Sequence, residues 1–233
     1  MIPWLGTHDP FPPLENALAE PNGLLAAGAE LTVPRLIAAY RAGIFPWYGE
    51  GQPVLWWSPD PRMVLFPREL TISRSLRKRI ARRDYEMRAD SAFDTVIRCC
   101  AAAPRAGQES TWITDDMIGA YNGLHLAGQA HSVETWIGGA LAGGLYGVAI
   151  GRMFYGESMF SEVPDASKIA LAHLVGQLER WGFAMIDCQM ATPHLARFGA
   201  REIPRAEFTR ILSTLVNYPD LGSRWRLDDD LFD

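Results

Sequence analysis

The chain has 233 residues, 48% hydrophobic and 21% charged, enough for one large domain or two smaller ones. A formal net charge of −5 argues against wholesale coating of nucleic acid, and 11% aromatic residues argue against disorder. No run approaches the roughly 18 apolar residues of a membrane span, and the first ten residues lack a signal-peptide pattern, so a cytoplasmic location is expected.

Residues 1 to about 60 are rich in Pro, Gly and Trp and read as a small N-terminal domain. One helix stands out there: Thr32 can cap it, Pro34 suits its first turn, Leu36, Ile37 and Tyr40 form a face, and Gly43 ends it. Pro59 and Pro61 flank Asp60 and make a stiff joint, so a second domain is expected over 61–233. From Met63 strands and helices alternate. A strand is expected over 63–66, a basic helix capped by Ser73 to about Arg83, a strand over 85–89, and a helix opened by Ser91. A helix over 115–126 starts with two acids that suit its dipole. Strands over 131–137 and 140–150 meet at Gly138-Gly139, a hairpin signal, and another covers 153–160. Asp165 is expected to cap a long helix that Gly182 stops, before a buried strand over 184–190 and helical turns over 194–198 and 205–215. Antiparallel strands followed by strand–helix–strand predict an α+β, acyltransferase-like sheet.

Three features can carry chemistry. In Ile186-Asp187-Cys188-Gln189 an ideal strand puts Asp187 and Gln189 on one face, where an apolar setting requires that they be paired or used. Alone, the motif is equally a satisfied buried pair. In Phe154-Tyr155-Gly156-Glu157-Ser158, Gly156 permits a bulge that re-aims Glu157, or the segment is a Gly-interrupted core strand. Trp47, Trp56, Trp57 and Trp112 stand off periodic faces and could stack nucleobases, although Trp56 and Trp57 suit a satellite core better.

Arg74, Arg77, Lys78, Arg79, Arg82, Arg83 and Arg88 make one basic stripe on an acidic protein, either a polyanion dock or a solvated face. Other constellations fail: the five histidines lack metal-ligand spacing, Cys99, Cys100 and Cys188 read as core thiols, and Cys188 with His194 proves no catalytic pair. There is no P-loop and no G-x-G-x-x-G. Residues 161–166 are acidic and lack glycine, which disfavours a coenzyme A pyrophosphate and with it the rival N-acetyltransferase reading. A non-catalytic tRNA-binding module, the other rival, would not need Asp187, Gln189 and Glu157 in apolar strands.

Taken in order, Pro21-Asn22-Gly23-Leu24-Leu25, Gly43-Ile44-Phe45-Pro46-Trp47, residues 56–62, Thr111-Trp112-Ile113, His131-Ser132-Val133-Glu134, residues 156–161, Ala166-Ser167-Lys168 and Asp187-Cys188-Gln189 resemble the leucyl/phenylalanyl-tRNA–protein transferases. The resemblance implies a small N-terminal domain on a GNAT-like catalytic domain with a mixed, mainly antiparallel sheet. It implies a leucyltransferase, an enzyme moving Leu, Phe or less often Met from aminoacyl-tRNA to proteins that begin with Arg or Lys, marking them for N-end-rule degradation. No cofactor is implied, and a monomer is expected. Matched by position, Asp187 and Gln189 form the polar pair at the reaction centre and Glu157 lies in the site. Leu145, Phe154, Leu171 and Ile186 shape the apolar pocket, and Trp47 and Trp112 flank the aminoacyl-adenosine end. Ile186 is in tension with Asp187, because an ideal strand points the two apart. Arg74, Arg77, Lys78, Arg82 and Arg83 are the expected tRNA contacts. Two positions depart from the family pattern: Ala29 replaces a glycine, and Arg197 replaces a small hydroxyl residue before Phe198-Gly199.

Overall fold

A computed structural model describes residues 2–104, 111–222 and 224–232. The first sheet uses β1 (Trp4–Leu5), β2 (Leu24–Gly28), β3 (Phe45–Pro46) and β4 (Leu55–Trp57) in the order β1-β2-β4-β3. α1 (Val33–Arg41) starts as its residues dictate: the Thr32 side chain accepts from Arg35 N, and Gly43 takes φ 77° just past the end. Ala29, where the family pattern favours glycine, sits at φ 61°, a left-handed conformation that costs an alanine about 1–2 kcal/mol.

The second sheet begins with β5 (Arg62–Leu65) and β6 (Glu86–Ala89), with α2 (Arg74–Ile80) between them. After α3 (Phe93–Ala102) and α4 (Asp115–Leu126), β7 (Ala130–Ile137), β8 (Ala140–Ile150) and β9 (Met153–Ser161) form an antiparallel meander. The turn residues Gly138 and Gly139 take φ 59° and 79°, as the hairpin requires. Then follow α5 (Ala166–Arg180), β10 (Met185–Gln189), α6 (Pro193–Ala196), β11 (Arg201–Ile203) and α7 (Arg205–Leu215). The strand order is β11-β5-β10-β9-β8-β7-β6, and only β9–β10, joined through α5, is parallel. This is the expected α+β class with a mixed, mainly antiparallel sheet.

Side-chain alternation divides the core. Val64, Tyr146, Val148, Met153, Tyr155 and Met185 pack with α3, α4, α7 and the first sheet. Leu65, Leu145, Phe154 and Ile186 pack with α2 and α5 on the opposite face. The first cluster also holds Leu25, Tyr40, Phe45 and Trp56, so both sheets share one core.

Three expected starts and ends differ. The basic helix stops at Ile80, and Arg83 turns to φ 49°. Ser91 does not cap α3, which starts at Phe93 without a side-chain cap: its hydroxyl is drawn to Glu134, which also accepts from Ser91 N (3.0 Å) and Ala92 N (2.9 Å) and so fixes the segment leading into the helix from a neighbouring strand. Asp165 sits at φ 69° without capping α5: its carboxylate binds Lys168 at 2.7 Å, and Ser161 Oγ accepts from Ser167 N at 3.0 Å instead.

Candidate active site

β9 and β10 pair from Met185↔Met153 through Asp187↔Tyr155, and no pairing follows. Beyond those residues the strands splay, and a cavity of about 380 Å³ opens in the split. One edge is Gly156, Glu157, Ser158 and Met159; the other is Cys188, Gln189 and Met190. A bulge marks each edge. Tyr146 opposes Ser158 and Gly147 opposes Gly156, so Glu157 is the extra residue on β9. On β10, Asp187 opposes Val64 and Gln189 opposes Met63, so Cys188 is the extra residue. The expected bulge near Gly156 is present, and a second one accompanies it.

The second bulge resolves the tension at Ile186 and corrects the shared face expected of Asp187 and Gln189. Gln189 takes φ 64° and joins Ile186 and Cys188 on the cavity wall, while Asp187 points away from the cavity and is fully buried. There it makes a bidentate pair with Arg62, Nε to Oδ1 at 2.8 Å and Nη2 to Oδ2 at 2.6 Å. The guanidinium lies over the rings of Phe45 and Phe208, 4.8 and 4.6 Å from their centroids, and also donates to Gly43 O at 3.2 Å. Asp187 reaches Gln189 through the backbone: Gln189 N donates to Oδ1 at 2.8 Å, which holds the strained left-handed turn.

Gln189 Nε2 donates to Glu157 Oε1 at 3.1 Å. That orientation leaves the amide carbonyl oxygen as the acceptor facing a ligand. Glu157 also accepts from Tyr40 Oη (2.8 Å, Oε1) and Tyr121 Oη (3.1 Å, Oε2). Its pKa is pushed up to about 7: burial raises it most, the tyrosine hydrogen bonds oppose this, the Asp187 charge adds to it, and the Gln189 hydrogen bond opposes it. A carboxyl at that pKa exchanges a proton near neutrality.

The remaining expected pocket residues, Trp47, Trp112, Leu145, Phe154, Leu171 and Ile186, all line this cavity. Trp57 Nε1 donates to Trp47 O at 2.7 Å and its ring meets Trp47 edge-on at 5.5 Å, while Trp56 is core, with Nε1 on Gly28 O at 2.8 Å. Cys188 and His194 share the wall, but burial and the Asp187 charge push the thiol pKa up, away from a nucleophile. Among the described residues no group of three or more His, Cys, Asp or Glu could hold a metal, and no helix is long and apolar enough to cross a membrane.

Sequence reasoning missed Arg62 and Tyr121 and saw Tyr40 only as a helix face. Arg62 carried a legible signal, since an arginine leading into the apolar run 63–66 must find a buried partner. The tyrosines carried none, because a buried hydroxyl reads as core until its partner is located.

On α2, Arg74, Arg77 and Lys78 are exposed, as are Arg82 and Arg83 beyond it. Arg79 is paired with Asp84, and Arg88 with Glu86 at 2.7 Å, so those two face their own chain. We propose that these exposed cations dock tRNA, so that reversing Arg77, Lys78 and Arg82 to Glu weakens tRNA binding and flattens its log–log salt dependence by about 3 units, measured by filter binding across salt. An unchanged slope would move the docking surface elsewhere.

The fold and cavity define a class of site: an open apolar pocket with one polar edge, fit to hold an apolar acyl group beside an amine. The family described as leucyl/phenylalanyl-tRNA protein transferase matches residues 64–213, and the description of its N-terminal domain matches 29–60. The leucyl/phenylalanyl-tRNA–protein transferase of Nitrosospira multiformis is 62% identical over 230 residues, 99% of each chain. That of Nitrosomonas europaea is 62% identical over 228 residues, 98% of this chain and 96% of the relative. Among solved structures, L-PGS from Bacillus licheniformis aligns with a TM-score of 0.44 at 10% identity, over 84% of this chain and 74% of its own. The chain belongs to the leucyl/phenylalanyl-tRNA–protein transferase family.

Proposed function

We propose that the split between β9 and β10 is where an aminoacyl ester of tRNA meets the N-terminal amine of an acceptor protein. The chain is an aminoacyl-tRNA–protein transferase by family. The observation that carries the site is the contact between Gln189 and Glu157 across the mouth of an apolar cavity. The donor's apolar side chain enters between Leu145, Phe154, Leu171 and Ile186, with Trp47 and Trp112 beside the adenosine end.

The donor ester is already activated, so the protein's task is alignment and proton handling. The acceptor amine, with a pKa of about 8, is partly neutral at neutral pH. Its N–H donates to the Gln189 carbonyl as nitrogen attacks the ester carbon. The C–N bond forms, the amine proton passes to Glu157, and the ribose oxygen recovers a proton as its bond to carbon breaks. Asp187 acts at one remove as a positioning residue, through Arg62 and the Gln189 backbone N–H.

Leu, Phe and Met as donors, N-terminal Arg or Lys as acceptor, action as a monomer and a cytoplasmic, N-end-rule role complete the reading. A division into residues 1–60 and 61–233 fits the two sheets. The reading is tested by offering radiolabelled Phe-tRNA and an Arg-starting peptide. Peptide extension is expected; acylation from a thioester donor, with none from charged tRNA, would overturn it.

A further inference from the structure

The groups around Glu157 contain one hydrogen too few for the contacts they make. Tyr40 comes from α1 and Tyr121 from α4, and both side chains are buried, 1% and 0% exposed. Their hydroxyls contact each other, and each also contacts a different oxygen of Glu157. The links Tyr40–Glu157, Glu157–Tyr121 and Tyr121–Tyr40 close a ring. Each hydroxyl owns a single hydrogen, so an ionised Glu157 leaves one of these links without a proton. A protonated Glu157 supplies the missing one: Oε2–H donates to Tyr121, Tyr121 to Tyr40, and Tyr40 back to Oε1.

We propose that Tyr40, Tyr121 and Glu157 form a hydrogen-bond ring that the proton released by the attacking amine completes, making the two tyrosines positioning residues for transfer. The inference rests on the role given to Glu157 above and adds where the proton is held. Proton balance is kept: the amine loses the proton as its bond to carbon forms, the ring holds it, and the ribose oxygen receives it on leaving. Because Gln189 Nε2 and Tyr40 both occupy Oε1, the proton is taken up at Oε2, and the ring closes as that O–H turns toward Tyr121 and the Tyr121 hydroxyl turns from Oε2 to Tyr40. Burial and the Glu157 charge hold both phenols well above their ordinary pKa, so they remain proton-bearing throughout.

The ring also ties the first sheet's unit to the chemistry. Tyr40 is fixed by Tyr155, whose hydroxyl donates to Tyr40 O at 2.7 Å and whose ring centroid lies 4.8 Å away. Tyr121 is wedged edge-on against Tyr146 at 5.7 Å. Replacing either hydroxyl by hydrogen keeps this packing.

The test uses full-length Tyr40→Phe, Tyr121→Phe and the double variant in single-turnover transfer from Phe-tRNA to an Arg-starting peptide. Each single change is expected to slow the chemical step about tenfold or more and to leave both substrate affinities unchanged. Since a ring is broken only once, the double variant should be no slower than the worse single variant. The acid limb of the rate profile should also move from its wild-type position. Independent, multiplying losses, or a limb that stays in place, would overturn the ring. The outcomes separate from failure of the underlying reading: a limb that persists in Glu157→Gln removes Glu157 itself from the reaction. A limb lost there but unmoved in the tyrosine variants removes only the ring.

Discussion

Asp187→Ala is expected to destabilise the protein by about 3–5 kcal/mol, because it strands the Arg62 guanidinium in a buried site without its counter-charge. The side chains of the pair are 1% and 0% exposed, so bulk solvent does not screen the guanidinium left without its carboxylate. The same change removes the oxygen that accepts from Gln189 N and releases the strained turn holding the amide toward the cavity. Turnover should therefore fall together with stability, while charged tRNA still binds wherever the fold persists. The double change Arg62→Met with Asp187→Leu separates the two effects. Replacing a buried pair by apolar groups of similar size is often neutral or stabilising, so the urea midpoint should return toward wild type. Transfer should stay slow, since nothing then anchors Gln189. Full recovery of both would assign the pair a purely structural role.

Glu157→Gln should slow transfer by about 10²–10⁴-fold with little change in KM for charged tRNA, because it removes the proton acceptor and keeps the shape. In the wild type the rate should rise through about pH 7 as Glu157 ionises, and again as the acceptor amine deprotonates with a pKa of about 8. The variant should lose only the lower limb. A stability signature accompanies this. The folded carboxyl titrates near 7 against 4.5 for the ordinary group, so stability is full below about pH 4.5 and is lost as pH rises through about 7. Unfolding midpoints of wild type and Glu157→Gln should accordingly differ in slope across that window and run parallel above it. A wild-type midpoint flat from acid to neutral pH would contradict the buried, proton-holding carboxyl.

Much of the fold was readable because its signals are local. Thr32 and Gly43 bracket α1, Gly138-Gly139 turns β7 into β8, and Gly182 at φ 78° closes α5. The misreadings share one cause, competition from groups distant in sequence. Glu134 draws off the Ser91 hydroxyl ahead of α3, which is left without a side-chain cap, and Ser161 takes the capping role expected of Asp165. The pocket wall was legible through resemblance, yet the facing of Asp187 was not. Alternation along an ideal strand is a valid rule until a bulge intervenes, and the extra residue at Cys188 reverses it for Gln189 alone. Arg62 could have been found by asking what neutralises an arginine ahead of an apolar strand. Tyr40 and Tyr121 meet Glu157 only through the packing of α1 and α4 on the sheet.

The account depends on the Gln189 amide, turned by its bulge and braced by Asp187 and Glu157, aligning amine with ester. The most direct measurement is the single-turnover rate of Gln189→Ala with saturating Phe-tRNA and Arg-starting peptide, alongside the dissociation constant of each. A fall of about 10²-fold or more in the chemical step, with both constants unchanged, is predicted. A chemical step as fast as wild type under saturation would contradict it.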